Sequence, residues 1–217
     1  MFYISLGLTG TQMNRMYSVT KGRIPGLYKT WEECKAQVDK FPGAVFKKVT
    51  QANASSDSEN PHIIDDIVCF SDGSCIHNGN IKARAGYACV FPNHPTFTTH
   101  RKLEGTVMTN NRAEFSALLL AFEIADRIDV TGEKIMHFYT DSKLLINTVE
   151  KWIPSWKRRG WVKSDGEPIL NLDLIKTINQ ATRKVLLHHV PAHTGGTDWF
   201  SIHNDEADRL AKIASKE

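Results

Sequence analysis

The feature that most constrains this chain is an apolar run that leads to an acid, and it occurs twice. Residues 67–70 form a short apolar segment that leads to Asp72, and residues 134–139 form a second one that leads to Asp141. Short apolar runs bounded by turn residues predict buried strands. A carboxylate fixed at the end of such a strand can hold a cation with little loss of side-chain freedom.

Each acid by itself has a simpler explanation. Asp72 can mark only a turn, and Asp141 can be only a helix cap. Glu114 lies near the start of an apolar helix predicted over residues 115–128, where negative charge stabilises a helix by about 0.3–1 kcal/mol. Strand-helix-strand connections can nevertheless bring the three acids together, and converging carboxylates repel one another unless cations neutralise them.

Length and charge predict two units. The chain has 217 residues, 41% of them hydrophobic, which is enough for one domain or two. Residues 1–56 hold 8 Lys and Arg against 3 Asp and Glu, residues 57–66 hold 0 against 4, and the remainder holds 19 against 17. A basic head, an acidic spacer and a nearly neutral body indicate units of different purpose, and the head favours a polyanionic partner.

Composition also limits cofactors and location. The cysteines form no Cys-x-x-Cys pair and have no histidine at ligand spacing, which argues against structural zinc and favours a reducing, intracellular compartment. No apolar run reaches the length of a membrane span, and residues 1–10 lack the basic start of a secretory signal. Nucleus, cytoplasm and mitochondrion are not distinguished, and whether Met16 is an alternative start stays open.

Residues 16–50 carry the pattern of a small mixed unit. Strands are predicted at residues 17–23, 25–29 and 44–49, and a helix follows Thr30, which has Glu33 at capping-box spacing. Aromatic residues alternate here with basic ones, so that sugars or bases could stack while ammonium groups meet phosphates. The aromatic residues could instead be the core of so small a unit. The residues concerned are Tyr17, Lys21, Arg23, Trp31, Lys40, Phe46, Lys47 and Lys48.

This stretch resembles the hybrid-binding domain that precedes many eukaryotic type 1 ribonucleases H and is related to a domain of plant-virus inclusion proteins. The match lies in the order and spacing of Tyr17, residues 30–39, residues 41–42 and residues 46–48. The resemblance implies that Trp31 and Phe46 pack on sugars of the DNA strand, while Tyr17, Lys47 and Lys48 meet phosphates. The family's second helix is missing or unconventional here, because residues 51–61 are polar and have linker chemistry.

The body adds further strands and an acidic helix. Strands are predicted at residues 85–91, 97–103 and 185–190, a helix at 143–152, and an amphipathic helix around Asp208, which by itself reads as a solvated face. Four motifs together make residues 63–215 resemble type 1 ribonuclease H: Asp72-Gly73-Ser74, Thr109 to Glu114, Thr140-Asp141-Ser142 and Asn204 to Ala211. The resemblance implies a mixed five-stranded α/β sheet, with three antiparallel and two parallel strands and helices on both faces.

The resemblance also implies the chemistry. The catalytic carboxylates carry over onto Asp72, Glu114, Asp141 and Asp208, which would hold two Mg²⁺ or Mn²⁺ ions about 4 Å apart. The counterpart of Asp72 bridges both ions, that of Asp208 joins it at the ion that activates water, and those of Glu114 and Asp141 hold the other ion. His193 matches the histidine that assists leaving-group protonation or product release. Residues 197–203 are expected to lengthen the loop before Asn204.

Tryptophans and cations are mixed densely at residues 152–163, a pattern typical of nucleic-acid binding, although the tryptophans could also be core. The spacing resembles the family's basic protrusion, where the residue matching Trp156 packs on a DNA sugar. The resemblance further implies that Thr109 and Asn171 grip a DNA phosphate, that Asn110 contacts the minor groove and that Ser74 contacts nucleic acid. A site that requires a flexible DNA strand on one side and 2′-hydroxyls on the other would select a hybrid duplex over DNA or RNA duplexes.

We therefore expect a monomeric endonuclease that cuts the RNA strand of RNA–DNA hybrids, leaves 5′-phosphate and 3′-hydroxyl ends, and has no membrane association. The expected organisation is an extension at residues 1–15, a hybrid-binding domain at 16–50, a linker at 51–62 and a catalytic domain at 63–217. The alternatives are a DNA-cutting nuclease of the same superfamily and a catalytically inactive hybrid-binding protein. The basic protrusion and the head argue against the first, and the four acids argue against the second.

Overall fold

The computed structural model describes residues 16–23, 26–28, 30–49, 66–192 and 195–217. Residue contacts divide the chain into one unit at residues 1–61 and a second unit at residues 62–217. The expected extension at residues 1–15 and the expected linker at 51–62 lie outside the described residues.

In its described residues, the first unit is a three-stranded antiparallel sheet with one helix. Its elements are β1 (Met16–Lys21), β2 (Gly26–Tyr28), α1 (Trp31–Val38) and β3 (Val45–Val49), with the strand order β2-β1-β3. The predicted capping box is confirmed, because Glu33 N donates to Thr30 Oγ1 at 3.2 Å and Thr30 N donates to Glu33 Oε2 at 3.1 Å. At the other end of α1, Arg23 Nη1 donates to the carbonyls of Ala36 and Asp39. Arg23 therefore stabilises the end of this helix, although the sequence suggested a phosphate contact.

The second unit is built on a five-stranded sheet in the order β6-β5-β4-β7-β8. The strands are β4 (Ile67–Ile76), β5 (Arg84–Val90), β6 (Thr99–Lys102), β7 (Met136–Thr140) and β8 (Val185–His189). Strands β4, β5 and β6 pair antiparallel, whereas β7 pairs parallel with both β4 and β8. The helices are α2 (Asn110–Ile128), α3 (Lys143–Asn147), α4 (Ile153–Arg158), α5 (Leu172–Gln180) and α6 (Trp199–Ala214). The predicted mixed sheet is confirmed.

Helices cover both faces of this sheet. Side chains along β4 point alternately to one face and to the other, so neighbouring residues contact different helices. Cys69 packs into a buried cluster with Phe115 of α2, while Phe70 packs into a second cluster with Leu210 of α6. No helix in the described part of the chain is both long and apolar enough to cross a bilayer.

The region predicted as one helix at residues 143–152 is more irregular than expected. A π-helical turn over Thr148–Trp152 joins α3 to α4, and Pro154 stands at the start of α4. Proline has no N–H to donate, so the regular helical pattern cannot pass through it, and a wider turn before it accommodates the break.

The expected long loop before Asn204 is wrong in its second half. Helix α6 already begins at Trp199, because the Asp198 side chain accepts hydrogen bonds from the backbone N–H groups of Phe200 and Ser201 at 3.0 and 3.1 Å. The Trp199 ring lies 5.0 Å from the Phe70 ring. Residues 199–203 thus extend α6, and the buried aromatic contacts stabilise that extension.

Helix α6 packs closely on β5 at Gly86. A Cβ atom added there would lie 2.4 Å from Ala214 Cβ and 2.5 Å from Ser215 N. We expect Gly86→Ala to lower the free energy of unfolding by about 1–3 kcal/mol, the usual cost of overpacking. Urea unfolding measures this change, and a variant as stable as the wild type would contradict the close packing.

Candidate active site

Asp72 and Asp141 lie at the same edge of the sheet. The parallel pairing of β4 with β7 ends at Phe70 and Tyr139, and Asp141 follows the last residue of β7. Strand β4 itself does not end at Asp72, as the sequence suggested, but continues to Ile76 because its antiparallel pairing with β5 persists. Asp72 is therefore held by regular strand structure just beyond the point where the parallel strands part.

Glu114 reaches this edge because α2 packs directly on β4. A Cβ atom added at Gly73 would lie 2.6 Å from Glu114 N, so only glycine permits this approach without a shift. The helix starts at Asn110 rather than at residue 115, because Thr109 Oγ1 accepts a hydrogen bond from Arg112 N and caps it. Glu114 consequently lies in the second turn, where a helix-dipole explanation for an acid is weak.

These three acids form one cluster. One carboxylate oxygen from each of Asp72, Glu114 and Asp141 lies within 4.8 Å of the other two. Asp72 is 7% exposed and Glu114 is 3% exposed. The buried Glu114 Oε2 has no hydrogen-bond partner among the residues that the structure describes. Oxygen ligands at this spacing, with one buried oxygen unpartnered, fit a divalent cation.

The electrostatics of the cluster favour protonation in the absence of a cation. Burial, followed by the charges of Asp141 and Asp208, raises the pKa of Asp72 to about 7. Burial, followed by the charges of Asp72 and Asp141, raises the pKa of Glu114 well above its usual range. A backbone hydrogen bond from Gly73 counteracts both pKa shifts only in part. A bound cation would reverse this balance by favouring the ionised carboxylates.

Asp208 belongs to the same electrostatic environment but is held differently. It lies on α6 and is outside the set of three close oxygens, although its charge contributes to the raised pKa of Asp72. Lys212, one turn further along α6, donates to Asp208 Oδ2 at 2.7 Å. The structure thus brings three of the four predicted acids together and ties the fourth to a lysine beside them.

Comparison with known proteins decides the family. The family model described as RNase H matches residues 65–216. The chain belongs to the ribonuclease H family. It carries a ribonuclease H domain and is an enzyme of that class. A second family model, described as Ribonuclease H1 N-terminal domain, matches residues 15–54.

Relatives of this ribonuclease H extend over most of its length. Ribonuclease H1 of Homo sapiens is 29% identical, over 93% of this chain and 89% of its own, and Ribonuclease H1 of Rattus norvegicus is 28% identical, over 97% and 92%. Among solved structures, LC9-RNase H1, a type 1 RNase H with the type 2 active-site motif, is 25% identical with a TM-score of 0.53, over 73% of this chain and 75% of its own.

Three predicted nucleic-acid contacts of this ribonuclease H lie near the start of α2. Thr109 caps the helix, Asn110 begins it, and Asn171 is linked to it by a hydrogen bond from Arg112 Nη1 to Asn171 Oδ1 at 3.4 Å. Ser74 lies further along β4, two residues beyond Asp72.

The predicted basic protrusion presents its tryptophans unequally. Trp156 of α4 is half-buried and packs against the main core cluster, whereas its neighbour Trp152 is 40% exposed. Their ring centroids lie 5.8 Å apart. Trp156 therefore contributes to the core while Trp152 is partly exposed, and the contact of Trp156 with nucleic acid stays a prediction.

The N-terminal unit presents a continuous aromatic surface. The Trp31 ring lies 5.4 Å from both the Tyr17 ring and the Phe46 ring, and Trp31 and Phe46 are 39% and 43% exposed. Among the described residues of this unit, the buried core contains Val19, Cys34 and Val38 instead, with Tyr17 packed against it. The alternative in which Trp31 and Phe46 form the core is therefore wrong.

The two lysines that follow Phe46 do not share one face of the sheet. In the register of β3 with β1, Phe46 lies opposite Val19 and Lys48 lies opposite Tyr17. Because side chains alternate along a strand, Lys48 belongs to the aromatic face and Lys47 to the other. Both lysines are exposed. The sequence predicted one surface that contains both lysines. Lys48 lies on the same face as the aromatic residues, and Lys47 lies on the opposite face.

The predicted site residue His193 lies outside the described residues. The sequence analysis did not predict the contacts that Lys212 and Arg112 make beside the carboxylates. The contact between Lys212 and Asp208 had a visible signal, because an acid and a lysine four residues apart on a helix are neighbours. The partner of Arg112 had none, because Asp173 follows it by 61 residues and only the packing of α2 against α5 joins them.

The raised pKa of Asp72 gives the metal-free protein a defined pH dependence. The folded-state pKa of about 7 exceeds the ordinary value of 3.8, so the ionised carboxylate opposes folding. The penalty is absent below the ordinary value, grows as the pH rises toward 7, and amounts to about 1.4 kcal/mol for each unit of pKa difference. We expect the free energy of unfolding in a chelator to fall between about pH 4 and about pH 7, and to level off above that.

Urea unfolding across this range tests the expectation, with Asp72→Asn as the comparison. The variant cannot ionise at this position, so its stability should fall less steeply with pH. Added Mg²⁺ should stabilise the wild type most near the upper end of the range, where the carboxylates are charged. Equal pH profiles for the two proteins would contradict the assignment of the shift to Asp72.

Proposed function

We propose that this ribonuclease H hydrolyses the RNA strand of RNA–DNA hybrids by two-metal catalysis and leaves 5′-phosphate and 3′-hydroxyl ends. The observation that carries the proposal is the cluster of carboxylate oxygens from Asp72, Glu114 and Asp141, all within 4.8 Å of one another. Oxygen ligands suit Mg²⁺ or Mn²⁺ better than softer metals.

In this proposal the protein holds two ions with Asp72, Glu114, Asp141 and Asp208. Bound ions would supply an activated water and would stabilise charge on the phosphate that is cut. The strand and helix that carry Asp72 and Glu114 fix both carboxylates, and the Lys212 contact leaves Asp208 Oδ1 available as a ligand. We assign His193 the protonation of the leaving group or the release of product, because imidazole titrates near neutrality.

The chain would recognise the hybrid with separate surfaces. Thr109, Asn110 and Asn171 would meet the DNA strand beside the carboxylates, Ser74 would contact the duplex near Asp72, and Trp156 would pack on a DNA sugar. The N-terminal unit would bind the same hybrid independently and add avidity through the segment at residues 51–62. We propose that the protein acts as a monomer in a reducing intracellular compartment, which suits its four free cysteines.

Asp141→Asn separates chemistry from binding. The substitution keeps the shape of the side chain but removes a charge that the cations require, so we expect cleavage to be lost while hybrid affinity persists. In a chelator the variant should be more stable than the wild type near pH 8, because one source of repulsion in the cluster is gone. Cleavage assays with Mg²⁺ and thermal melting measure the two effects.

Asp126→Asn is the matched control, because it removes a carboxylate that is 67% exposed and outside the cluster. Its cleavage rate should equal that of the wild type. Near-normal turnover by Asp141→Asn would contradict the metal site. Assaying hybrid, DNA duplex and RNA duplex side by side also tests the alternatives, since a DNA-cutting nuclease or an inactive binding protein would each give a different pattern.

The N-terminal unit should contribute affinity and no chemistry. We expect Lys47→Ala combined with Lys48→Ala to weaken hybrid binding and to reduce its salt dependence by up to about 0.9 per lost phosphate contact. Lys48→Ala should account for the larger share, because Lys48 lies on the aromatic face. Trp31→Ala should weaken binding by about 1–3 kcal/mol, the usual value of a stacking contact. Titrations of hybrid at several salt concentrations measure these effects.

The matched control is Lys134→Ala combined with Lys184→Ala. These lysines lie beside the start of β7 and β8, at the end of the parallel strands opposite Asp141. The control removes the same total charge and should leave affinity and salt slope nearly unchanged. If both double variants behaved alike, the head would contribute only net charge and the surface would not be a binding site.

A further inference from the structure

Arg112 joins the starts of two helices beside the carboxylate cluster. Its backbone N donates to Thr109 Oγ1 at 3.1 Å, within the first turn of α2. Its guanidinium crosses to the start of α5, where Nη1 donates to Asp173 Oδ1 at 3.0 Å and Nη2 donates to Asp173 Oδ2. The same Nη1 lies 3.4 Å from Asn171 Oδ1. Arg112 therefore contacts Thr109 through its backbone and Asn171 through its side chain, and these two residues lie 62 positions apart in the sequence.

The contact with Arg112 fixes which way the Asn171 amide faces. A guanidinium only donates hydrogen bonds, so the amide atom that faces it must be the oxygen. Asn171 occupies the capping position of α5 but makes no side-chain capping bond, and its backbone is left-handed at φ 57°. The NH₂ group is then on the far side of the amide from Arg112, where its two N–H donors can meet an acceptor.

Thr109 also presents a hydrogen-bond donor. Its hydroxyl oxygen already accepts a hydrogen bond from Arg112 N, so the hydroxyl proton is directed elsewhere and can be donated. A hydroxyl donor oriented by the backbone of residue 112 and an amide donor oriented by the Arg112 guanidinium suit an acceptor with several oxygens, such as a phosphodiester.

Arg112 itself is engaged with Asp173 and does not act as the phosphate's counterion. The side-chain hydrogen bond to Asp173 raises the pKa of Arg112, and the same bond lowers the pKa of Asp173. A paired, planar guanidinium with fixed donors holds its neighbours in one geometry, which a lysine cannot reproduce.

We propose that Arg112 and Asp173 form a positioning clamp that orients Asn171, so that Asn171 and the neighbouring Thr109 act as neutral donors to one phosphate of the DNA strand. The inference rests on the proposed function, because it concerns the same substrate. Arg112 is a positioning residue in this account, and it acts on the hybrid through Asn171.

A double-mutant cycle on hybrid cleavage with Mg²⁺ tests the clamp. We expect Arg112→Lys and Asn171→Ala each to raise KM about tenfold, with kcat changed less than about twofold, because a hydrogen bond to a charged group is lost before the chemical step. If Arg112 acts through Asn171, the double variant should be no worse than Asn171→Ala. Separate contributions would instead multiply to about a hundredfold increase in KM and would overturn the clamp.

A second readout separates positioning from a merely structural effect. Single methylphosphonates, placed one at a time along the DNA strand, replace a charged phosphate by a neutral one. The wild type should lose affinity strongly at one position, and Asn171→Ala and Arg112→Lys should both lose that position-specific sensitivity. If Arg112→Lys only lowered the melting temperature and kept the sensitivity, the clamp would be refuted.

Two further variants keep the test decisive. Asp173→Asn breaks the clamp at a side chain that is 59% exposed, so it should fold even if Arg112→Lys does not, and it should raise KM in the same way. Arg101→Lys is the matched control, because Arg101 makes an equivalent two-bond contact with Glu123 of α2, at 2.9 and 3.0 Å, and should leave KM unchanged. A wild type that cut no hybrid would overturn the proposed function itself, whereas an active wild type with independent single effects would overturn only the clamp.

Discussion

Repulsion among buried carboxylates is the constraint on which the rest of this structure depends. Asp72 and Glu114 are almost completely buried, and their oxygens approach each other and Asp141 within 4.8 Å. Such an arrangement opposes folding whenever the acids are ionised, so the surrounding structure must hold it in place. Extended pairing of β4 with β5 and direct packing of α2 on Gly73 provide that support. The site is thereby prepared to gain stability from cations.

Close backbone packing links this site to the remainder of the second unit. Gly73 and Gly86 are the two points where helices α2 and α6 lie against the central strands with no room for a Cβ atom. Helix α6 also carries Asp208, and its first turn is stabilised by aromatic packing on Phe70. Stability and site geometry therefore depend on the same contacts, since a shift of either helix would move a carboxylate.

The proposed binding surface of the N-terminal unit differs from the buried acids because its side chains are partly exposed. The aromatic surface of Tyr17, Trp31 and Phe46 is partly exposed and lies in a unit with its own small core. Exposed rings and lysines can supply affinity without constraining the catalytic geometry, because each belongs to a separate unit. Near the carboxylates, by contrast, the proposed neutral donors Thr109 and Asn171 would combine affinity with position.

The sequence by itself indicated the acids and determined the capping box at Thr30, because each leaves a local signal in residue spacing, whereas the type of sheet followed from the resemblance to ribonuclease H. It also identified the ribonuclease H motifs and the aromatic residues of the head. Tertiary structure alone decided that Asp72 sits within a longer strand and that Trp199 begins α6. It also decided the pairing of Arg112 with Asp173. These features depend on partners from distant segments, and no local pattern of side chains specifies which strand or helix will supply them.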